Sequence, residues 1–184
     1  MTPEPTPSQT IGPFFHDALV NEDRSELVSL DHPEAIRIEG KIFDGAGEPV
    51  PDAMVEIWQA NAAGRYNDPL LDPGTFSGFG RSGTDAGGRF SFVTLKPGPV
   101  RGPGGGLQAP HVMVSVFARG LLKRLLTRIY FPDEAESNAQ DPVLSAIEDP
   151  KLRETLVARN EGNALRFDIN LQGDDQTAFF EFQE

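Results

Sequence analysis

Residues 35–66, AIRIEGKIFDGAGEPVPDAMVEIWQANAAGRY, carry the signals that decide the fold of this chain. Alternating polarity places Ile36, Ile38 and Ile42 on one face of a strand, and a second strand-like run follows at 53–60. The Gly- and Pro-rich segment between the two runs is typical of a turn. The stretch therefore predicts two strands of a sheet, the first with one face in water.

Short apolar runs of the same kind continue along the chain. Further strands are predicted at 88–95, 111–118, 124–131, 165–171 and 177–182. Within 165–171, Phe167, Ile169 and Leu171 alternate with polar residues. The runs are punctuated by many of the 19 glycines and 16 prolines, a distribution typical of sheet proteins.

The period changes between residues 141 and 159. Asp141-Pro142 and Asp149-Pro150 each place a capping residue before a proline, as at the N-terminus of a helix. Two short helices are therefore predicted in this segment.

The predicted elements make one all-β domain. We expect residues 35–184 to form an antiparallel β-sandwich of the immunoglobulin or transthyretin-like kind, with a short helical excursion near 141–159. Residues 1–34 have few periodic apolar positions and are predicted to be an extended N-terminal arm, which must lie on another surface to be ordered.

Composition narrows the partners and the compartment. The 184 residues carry a formal net charge of −12, which makes nucleic acid and anionic membranes poor partners. The chain has no cysteine, which removes disulfides, thiolate metal sites and cysteine nucleophiles. There is no apolar run near the roughly 18 residues of a membrane span and no secretory signal pattern, so a soluble, cytoplasmic protein is expected.

One predicted strand holds a candidate metal-ligand pair. Within QAPHVMVSVFARG, residues 108–120, His111 and Met113 stand two apart, so both side chains point to the same face of a strand. The pair has three interpretations: part of a metal site, the remnant of one, or ordinary core. As a core residue, His111 would be hydrogen-bonded to the backbone.

The stretch at 38–66 resembles the signature region of the intradiol ring-cleavage dioxygenases, enzymes that open catechol-type rings with non-haem ferric iron. The matching positions are Ile38, Gly40, Gly47, Val50, Val55-Glu56-Ile57 and Gly64-Arg65-Tyr66. The resemblance continues through the segments near 80–100, 109–114, 125–131 and 166–182. The first part alone also resembles transthyretin-like and carboxypeptidase regulatory-like sandwiches, which leaves open a non-catalytic binding or scaffold domain.

The resemblance implies a metal site that has lost its ligands. The family binds Fe³⁺ with two tyrosines and two histidines; on its pattern the four positions are Tyr66, Val100, His111 and Met113. Valine has no donor atom, and a thioether is a poor ligand for hard Fe³⁺. The arginine that catalytic relatives carry three residues before the first histidine is Gln108 here. Iron binding by this chain is therefore not expected, and Tyr66 is expected to be a packing residue.

Some members of the family consist of two homologous subunits, of which only the β subunit holds Fe³⁺. The losses here are similar to those of the α subunit, whose TPSQT-x-GP arm lines the substrate pocket of the neighbouring β chain. By that resemblance Thr10, Ile11, Gly12 and Pro13 contribute to the partner's site, with Phe14 as apolar wall. The arm is accordingly expected to pack on the β subunit, in a larger (αβ)n oligomer.

The resemblance also points to a cation for the substrate carboxylate. Arg119 lies eight residues beyond His111, roughly 26 Å along a regular strand, so it cannot serve the pocket of its own chain. In the family the corresponding arginine lies near the substrate of the paired β site. The implied reaction is cleavage of 3,4-dihydroxybenzoate by O₂ to 3-carboxy-cis,cis-muconate, with this chain inactive alone.

Two alternatives remain open at this point. The first is a self-sufficient iron dioxygenase with unexpected ligands, although the chain holds only two tyrosines and three histidines in all. Of these, Tyr130 falls in a different strand, and His16 and His32 fall in the arm. The second is the non-catalytic sandwich without a dioxygenase partner.

Overall fold

The structure is a computed structural model that describes residues 9–12, 18–20, 24–67, 76–102 and 104–181. The strands are β1 (Ala35–Phe43), β2 (Met54–Gln59), β3 (Phe79–Gly83), β4 (Arg89–Leu95), β5 (Val100–Arg101), β6 (Leu107–Gln108), β7 (His111–Phe117), β8 (Leu125–Tyr130), β9 (Arg159–Glu161), β10 (Ala164–Arg166) and β11 (Ile169–Asn170). The helices are α1 (Ala135–Gln140), α2 (Pro142–Ala146) and α3 (Pro150–Glu154).

Two sheets face each other. In the first, β1 pairs antiparallel with β4 along one edge and parallel with β10 and β11 along the other, and β9 extends the sheet beyond β10. The second has the order β3-β2-β7-β8 and is antiparallel throughout. Strands β5 and β6 form a separate ribbon. The expected sandwich is confirmed, and within its first sheet β10 and β11 pair parallel with β1.

The core lies between the inner faces of the two sheets. It is built from alternate residues of the central strands, among them Ile38, Ile42, Val55, Ile57, Phe90, Phe92, Val112, Val114, Val116 and Ile129. Because neighbours along a strand point to opposite faces, the intervening residues of β2, β7 and β8 form an outer face. Met113 and Arg128 lie on that face, on the neighbouring strands β7 and β8.

The strand predicted at 165–171 is divided into β10 and β11. Both halves keep one register against β1, with Leu165 opposite Ile38 and Ile169 opposite Ile42. Between them the Asp168 carboxylate accepts a hydrogen bond from the backbone N–H of Lys41 at 2.9 Å. The Asp168 side chain thus replaces the backbone carbonyl that would accept this hydrogen bond in a continuous strand. The alternation of apolar and polar residues in the sequence does not show this replacement.

The strand predicted at 177–182 is wrong over the residues that the structure describes, which end at 181. This segment runs beside β8, and Phe180 donates its N–H to the carbonyl of Leu126 at 2.8 Å. Thr177 donates its N–H to the carbonyl of Asn170, and the Thr127 hydroxyl donates to the carbonyl of Ala178. The apolar side chains of this segment, including Phe179 and Phe180, pack against the core, but its backbone does not form the repeated hydrogen bonds of a strand.

Both predicted helix starts are confirmed. Asp141 accepts hydrogen bonds from Val143 and Leu144 N–H, and Asp149 accepts one from Lys151 N–H. Helix α1 was not predicted, because its N-cap residue, Glu134, makes no side-chain capping bond. In the part of the chain described, no helix is long and apolar enough to cross a membrane.

The last residues of the predicted arm lie on the chain's own sandwich. Arg24 bridges to Arg81 of β3, and Glu26 bridges to Val93 of β4. The side chain of Leu27 packs against the core. Residues 24–27 therefore connect the edges of the two sheets, and packing of the preceding arm on another subunit stays a prediction.

Candidate functional site

We give the name vestigial pocket to the four positions that correspond to iron ligands on the family pattern: Tyr66, Val100, His111 and Met113. His111 and Met113 lie on β7, Val100 begins β5, and Tyr66 lies in a loop that backbone hydrogen bonds hold to the segment before β5. The N–H groups of Gly64 and Gly98 both donate to the carbonyl of Asn61 at 2.9 Å.

Glycine is required where these loops meet. A Cβ at Gly64, which has φ of 72°, would collide with the carbonyl oxygen of Pro99, and one at Gly98 would collide with that of Ala62. Close backbone contact therefore fixes the approach of the segments that carry Tyr66 and Val100.

His111 is 3% exposed at the start of β7. Its Nδ1 lies 2.8 Å from the carbonyl oxygen of Ala109. Since a carbonyl only accepts, Nδ1 carries the proton and Nε2 keeps the lone pair in the neutral ring. The pKa of His111 is lowered to about 4, chiefly because burial disfavours the imidazolium and secondly because Arg128 is close. The residue is a neutral, backbone-bonded core histidine.

Tyr66 is 44% exposed and stacks on Trp58, with ring centroids 5.9 Å apart and planes at 9°. Burial raises the pKa of its phenol, and the positive charge of Arg128 opposes the shift. Tyr66 is thus a stacked, protonated tyrosine on the outer face of the second sheet, in agreement with the packing role expected for it.

The two remaining positions offer nothing to ferric iron. Val100 is buried and apolar, and the Met113 sulfur accepts a hydrogen bond from Arg128 Nε at 3.2 Å. One imidazole and one phenol do not make a four-donor cage for a hard trivalent ion, so the residues present do not fit the iron of the family. Among the described residues, no group of three or more His, Cys, Asp or Glu side chains is placed to hold a metal.

Sequence reasoning missed the residue at the centre of this pocket, Arg128. It lies on β8 directly opposite Met113. Its Nη1 donates to Gln108 Oε1 at 3.0 Å and to the hydroxyl of Tyr130 at 3.1 Å, and its guanidinium lies 5.9 Å from the ring centre of Phe180. The only signal in the sequence was its place two residues before Tyr130, on the same strand face.

Tyr130 lies in a different strand from His111, as predicted, but pairing of the two strands brings it close to His111. Tyr130 is opposite His111 in the β7–β8 register, and their rings are 5.7 Å apart. It is nevertheless no replacement ligand, because burial raises its pKa and its hydroxyl donates to Asp141 Oδ1 at 3.1 Å. Asp141 itself is completely buried, and its other oxygen accepts from Ala109 N–H at 2.8 Å.

A second group of predicted residues meets elsewhere. Gly120 N–H donates to the Thr10 hydroxyl at 2.9 Å, and Ile11, Phe117 and Leu121 line one cleft. The name arm–turn cleft is used below for Ile11 of this cleft together with Thr10, Arg119 and Gly120. Gly12 is exposed beside it, whereas Pro13 and Phe14 fall outside the described residues.

Arg119 lies in the turn that follows β7, and its guanidinium pairs with the Asp52 carboxylate. The arginine side chain is 70% exposed. The structure therefore brings Thr10, Ile11 and the Arg119 turn together, and it separates them from His111 by the length of β7. The predicted residues fall into two groups at opposite ends of β7.

Comparison with known proteins identifies the fold. The profile of the dioxygenase family matches residues 10–173. A protocatechuate 3,4-dioxygenase alpha chain from Pseudomonas putida is 44% identical over 194 aligned residues, covering 96% of each chain. A protocatechuate 3,4-dioxygenase beta chain from Burkholderia cepacia is 37% identical over 188, covering 92% of this chain and 77% of the beta chain.

A solved structure gives the same result. The dioxygenase domain of a carbohydrate-binding fusion protein from Streptomyces sp. SirexAA-E superposes with a TM-score of 0.57 at 28% identity, covering 95% of this chain and 100% of that domain. The sandwich, the signature loop ending at Tyr66 and the extent of these matches agree. The chain belongs to the intradiol ring-cleavage dioxygenase family.

Proposed function

We propose that the chain is the iron-free alpha subunit of a protocatechuate 3,4-dioxygenase. The single observation that carries this is the vestigial pocket, where Val100, Met113 and Arg128 stand in a chain similar to an alpha chain over 96% of its length. The enzyme would cleave 3,4-dihydroxybenzoate with O₂ to 3-carboxy-cis,cis-muconate. Fe³⁺ would be held by a homologous beta subunit, and no step of the iron chemistry passes through residues of this chain.

In this proposal the arm–turn cleft is the part of the chain that meets the substrate. A side chain added at Gly12 would meet none of the described residues within 4 Å, apart from its chain neighbours, which supports a position open to an approaching ligand. Ile11 and Pro13 would exclude water from one side of the ring. Arg119, exposed beyond the end of β7, would balance the substrate carboxylate.

The partner and the compartment belong to the same proposal. Similarity to both an alpha and a beta chain supports pairing with a homologous subunit, and we expect the pairs to repeat in a closed (αβ)n oligomer. The net charge of −12 favours neither nucleic acid nor anionic membrane as a further partner. The cysteine-free composition agrees with a cytoplasmic location.

Co-expression tests the proposal. The full-length chain is produced alone and together with a homologue that carries tyrosine and histidine at the positions of Val100 and Met113, and O₂ uptake with 3,4-dihydroxybenzoate is measured. We expect the two chains to co-purify and the pair to consume O₂, while this chain alone does not. Ring cleavage by this chain alone, or failure of the two chains to associate, would reject the assignment.

A further inference from the structure

The centre of the vestigial pocket holds a permanent positive charge. The Arg128 guanidinium contacts the Met113 sulfur, at one former ligand position, and its charge is felt at Tyr66 and His111, at two others. Arginine does not lose its proton in proteins, so this charge is present at every working pH.

The surrounding groups are arranged to accept this cation. Gln108 Oε1 and the Tyr130 hydroxyl both receive hydrogen bonds from Nη1. The Tyr130 hydroxyl in turn donates a hydrogen bond to the buried carboxylate of Asp141. The partly buried Arg128 guanidinium and the buried Asp141 carboxylate therefore lie two hydrogen bonds apart, which offsets the desolvation of each.

We infer that Arg128 stands in for the metal ion as a built-in cation, so that restoring the two missing donors alone does not make this pocket an iron site. A second cation placed among Tyr66, His111 and Met113 would meet the guanidinium at close range in a partly buried setting, where like charges repel strongly. The positive charge of Arg128 thus opposes iron binding in addition to the absence of donor atoms at Val100 and Met113.

The residue at position 108 is suited to the same arrangement. An arginine at 108 would set a second guanidinium against Arg128. It would also remove the acceptor that Gln108 Oε1 supplies. Gln108 and Arg128 therefore form a matched pair, and neither suits the pocket without the other.

Metal uptake tests the inference in three variants of the full-length chain. The first variant carries Val100→Tyr and Met113→His. The second variant carries these two changes and Arg128→Gln. The third variant carries the same two changes and Arg124→Gln, and it serves as the matched control. Arg124 is an exposed arginine just before the same strand. Each protein is mixed with Fe²⁺ under argon and oxidised in air, and bound iron and visible tyrosinate absorption are measured.

The variant with Arg128→Gln is expected to retain roughly ten times more iron than the other two and to be coloured. Equal iron in the double variant and the Arg128→Gln variant would overturn the inference. A folded Arg128→Gln variant that stays colourless and iron-free would overturn it as well. The proteins are tested without a partner, so failure of the subunit assignment does not affect the result.

A thermal exchange experiment covers the case in which the engineered site does not fold. Gln108→Arg, Arg128→Gln and the exchange variant with both changes are compared in an otherwise natural chain. The exchange variant is expected to regain most of the melting temperature that Gln108→Arg loses, because it restores one cation and one acceptor. An exchange variant no more stable than Gln108→Arg would contradict the pairing.

Discussion

The hydroxyl of Thr10 accepts a hydrogen bond from the backbone N–H of Gly120 at 2.9 Å, although the two residues are 110 positions apart. This contact ties the N-terminal arm to the turn that carries Arg119. In the proposed enzyme the arm and the arginine would therefore reach the substrate as one unit, positioned by β7.

Replacing Thr10 by valine should weaken substrate binding. Valine keeps the shape of threonine but cannot accept the Gly120 hydrogen bond, whose loss costs about 1 kcal/mol, or roughly fivefold in KM for 3,4-dihydroxybenzoate. Thr10→Ser keeps the hydroxyl and serves as the control. Steady-state O₂ uptake by the assembled enzyme measures both; equal KM values for the two variants would remove this contact from the account.

Replacing Gly12 by alanine should separate the stability of the chain from the function of the complex. Apart from its chain neighbours, the added methyl group lies more than 4 Å from every other residue that the structure describes, so the melting temperature of the isolated protein should not change. Against a substrate or partner packed on the arm, overpacking costs about 1–2 kcal/mol, which lowers kcat/KM roughly 5- to 30-fold. Unaltered kcat/KM would show that the arm does not line the site.

Replacing Arg119 by alanine should raise KM more than it lowers kcat. A charge-assisted hydrogen bond is worth about 1.5–3 kcal/mol, or roughly 10- to 150-fold in KM. The substrate amide, 3,4-dihydroxybenzamide, is the matched control, because it lacks the carboxylate that the arginine would meet. A loss of the same size for the acid and the amide would assign Arg119 a structural role, for which its ion pair with Asp52 gives a basis.

Stability should fall between pH 6.5 and 4 because of His111. Its folded pKa of about 4 lies below the value of 6.5 for a free histidine, so the unfolded chain takes up the proton first as the pH falls. The contribution is complete above pH 6.5 and is lost as the pH approaches 4, by up to about 3 kcal/mol.

Urea unfolding at pH 7 and pH 4.5 measures this loss. His111→Gln, which cannot titrate, should show a smaller difference between the two pH values than the natural chain. His32→Gln removes an exposed histidine instead and should leave the difference unchanged. If both variants behave like the natural chain, His111 is not held neutral by the fold.

Much of the sandwich was predictable from local pattern. Continuous apolar or alternating runs predict five of the strands, namely β1, β2, β4, β7 and β8. The two Asp-Pro pairs predict the N-termini of two helices. The division of 165–171 was not predictable, because the Asp168 carboxylate replaces a backbone partner of Lys41. This hydrogen bond joins Asp168 to Lys41, which is distant in the sequence, and the polarity pattern of one segment contains no information about such a contact.

The sequence showed which ligand positions of the family lack a suitable donor atom, and it did not show the contacts that Arg128 makes there. The family pattern identifies Val100 and Met113 as non-ligands from their positions alone. The role of Arg128 depends on the β7–β8 register, which sets it opposite Met113 and sets Tyr130 opposite His111. Register is a tertiary property, so an arginine in an alternating strand looks like an ordinary solvent-facing residue in the sequence.

The iron content of the purified proteins tests the central claim most directly. Metal analysis and visible absorption are measured for the full-length chain alone and for its complex with the homologous partner. The account predicts a colourless, iron-free chain and a coloured complex with one iron for each pair of subunits. Stoichiometric iron in this chain alone, or two irons for each pair, would contradict it.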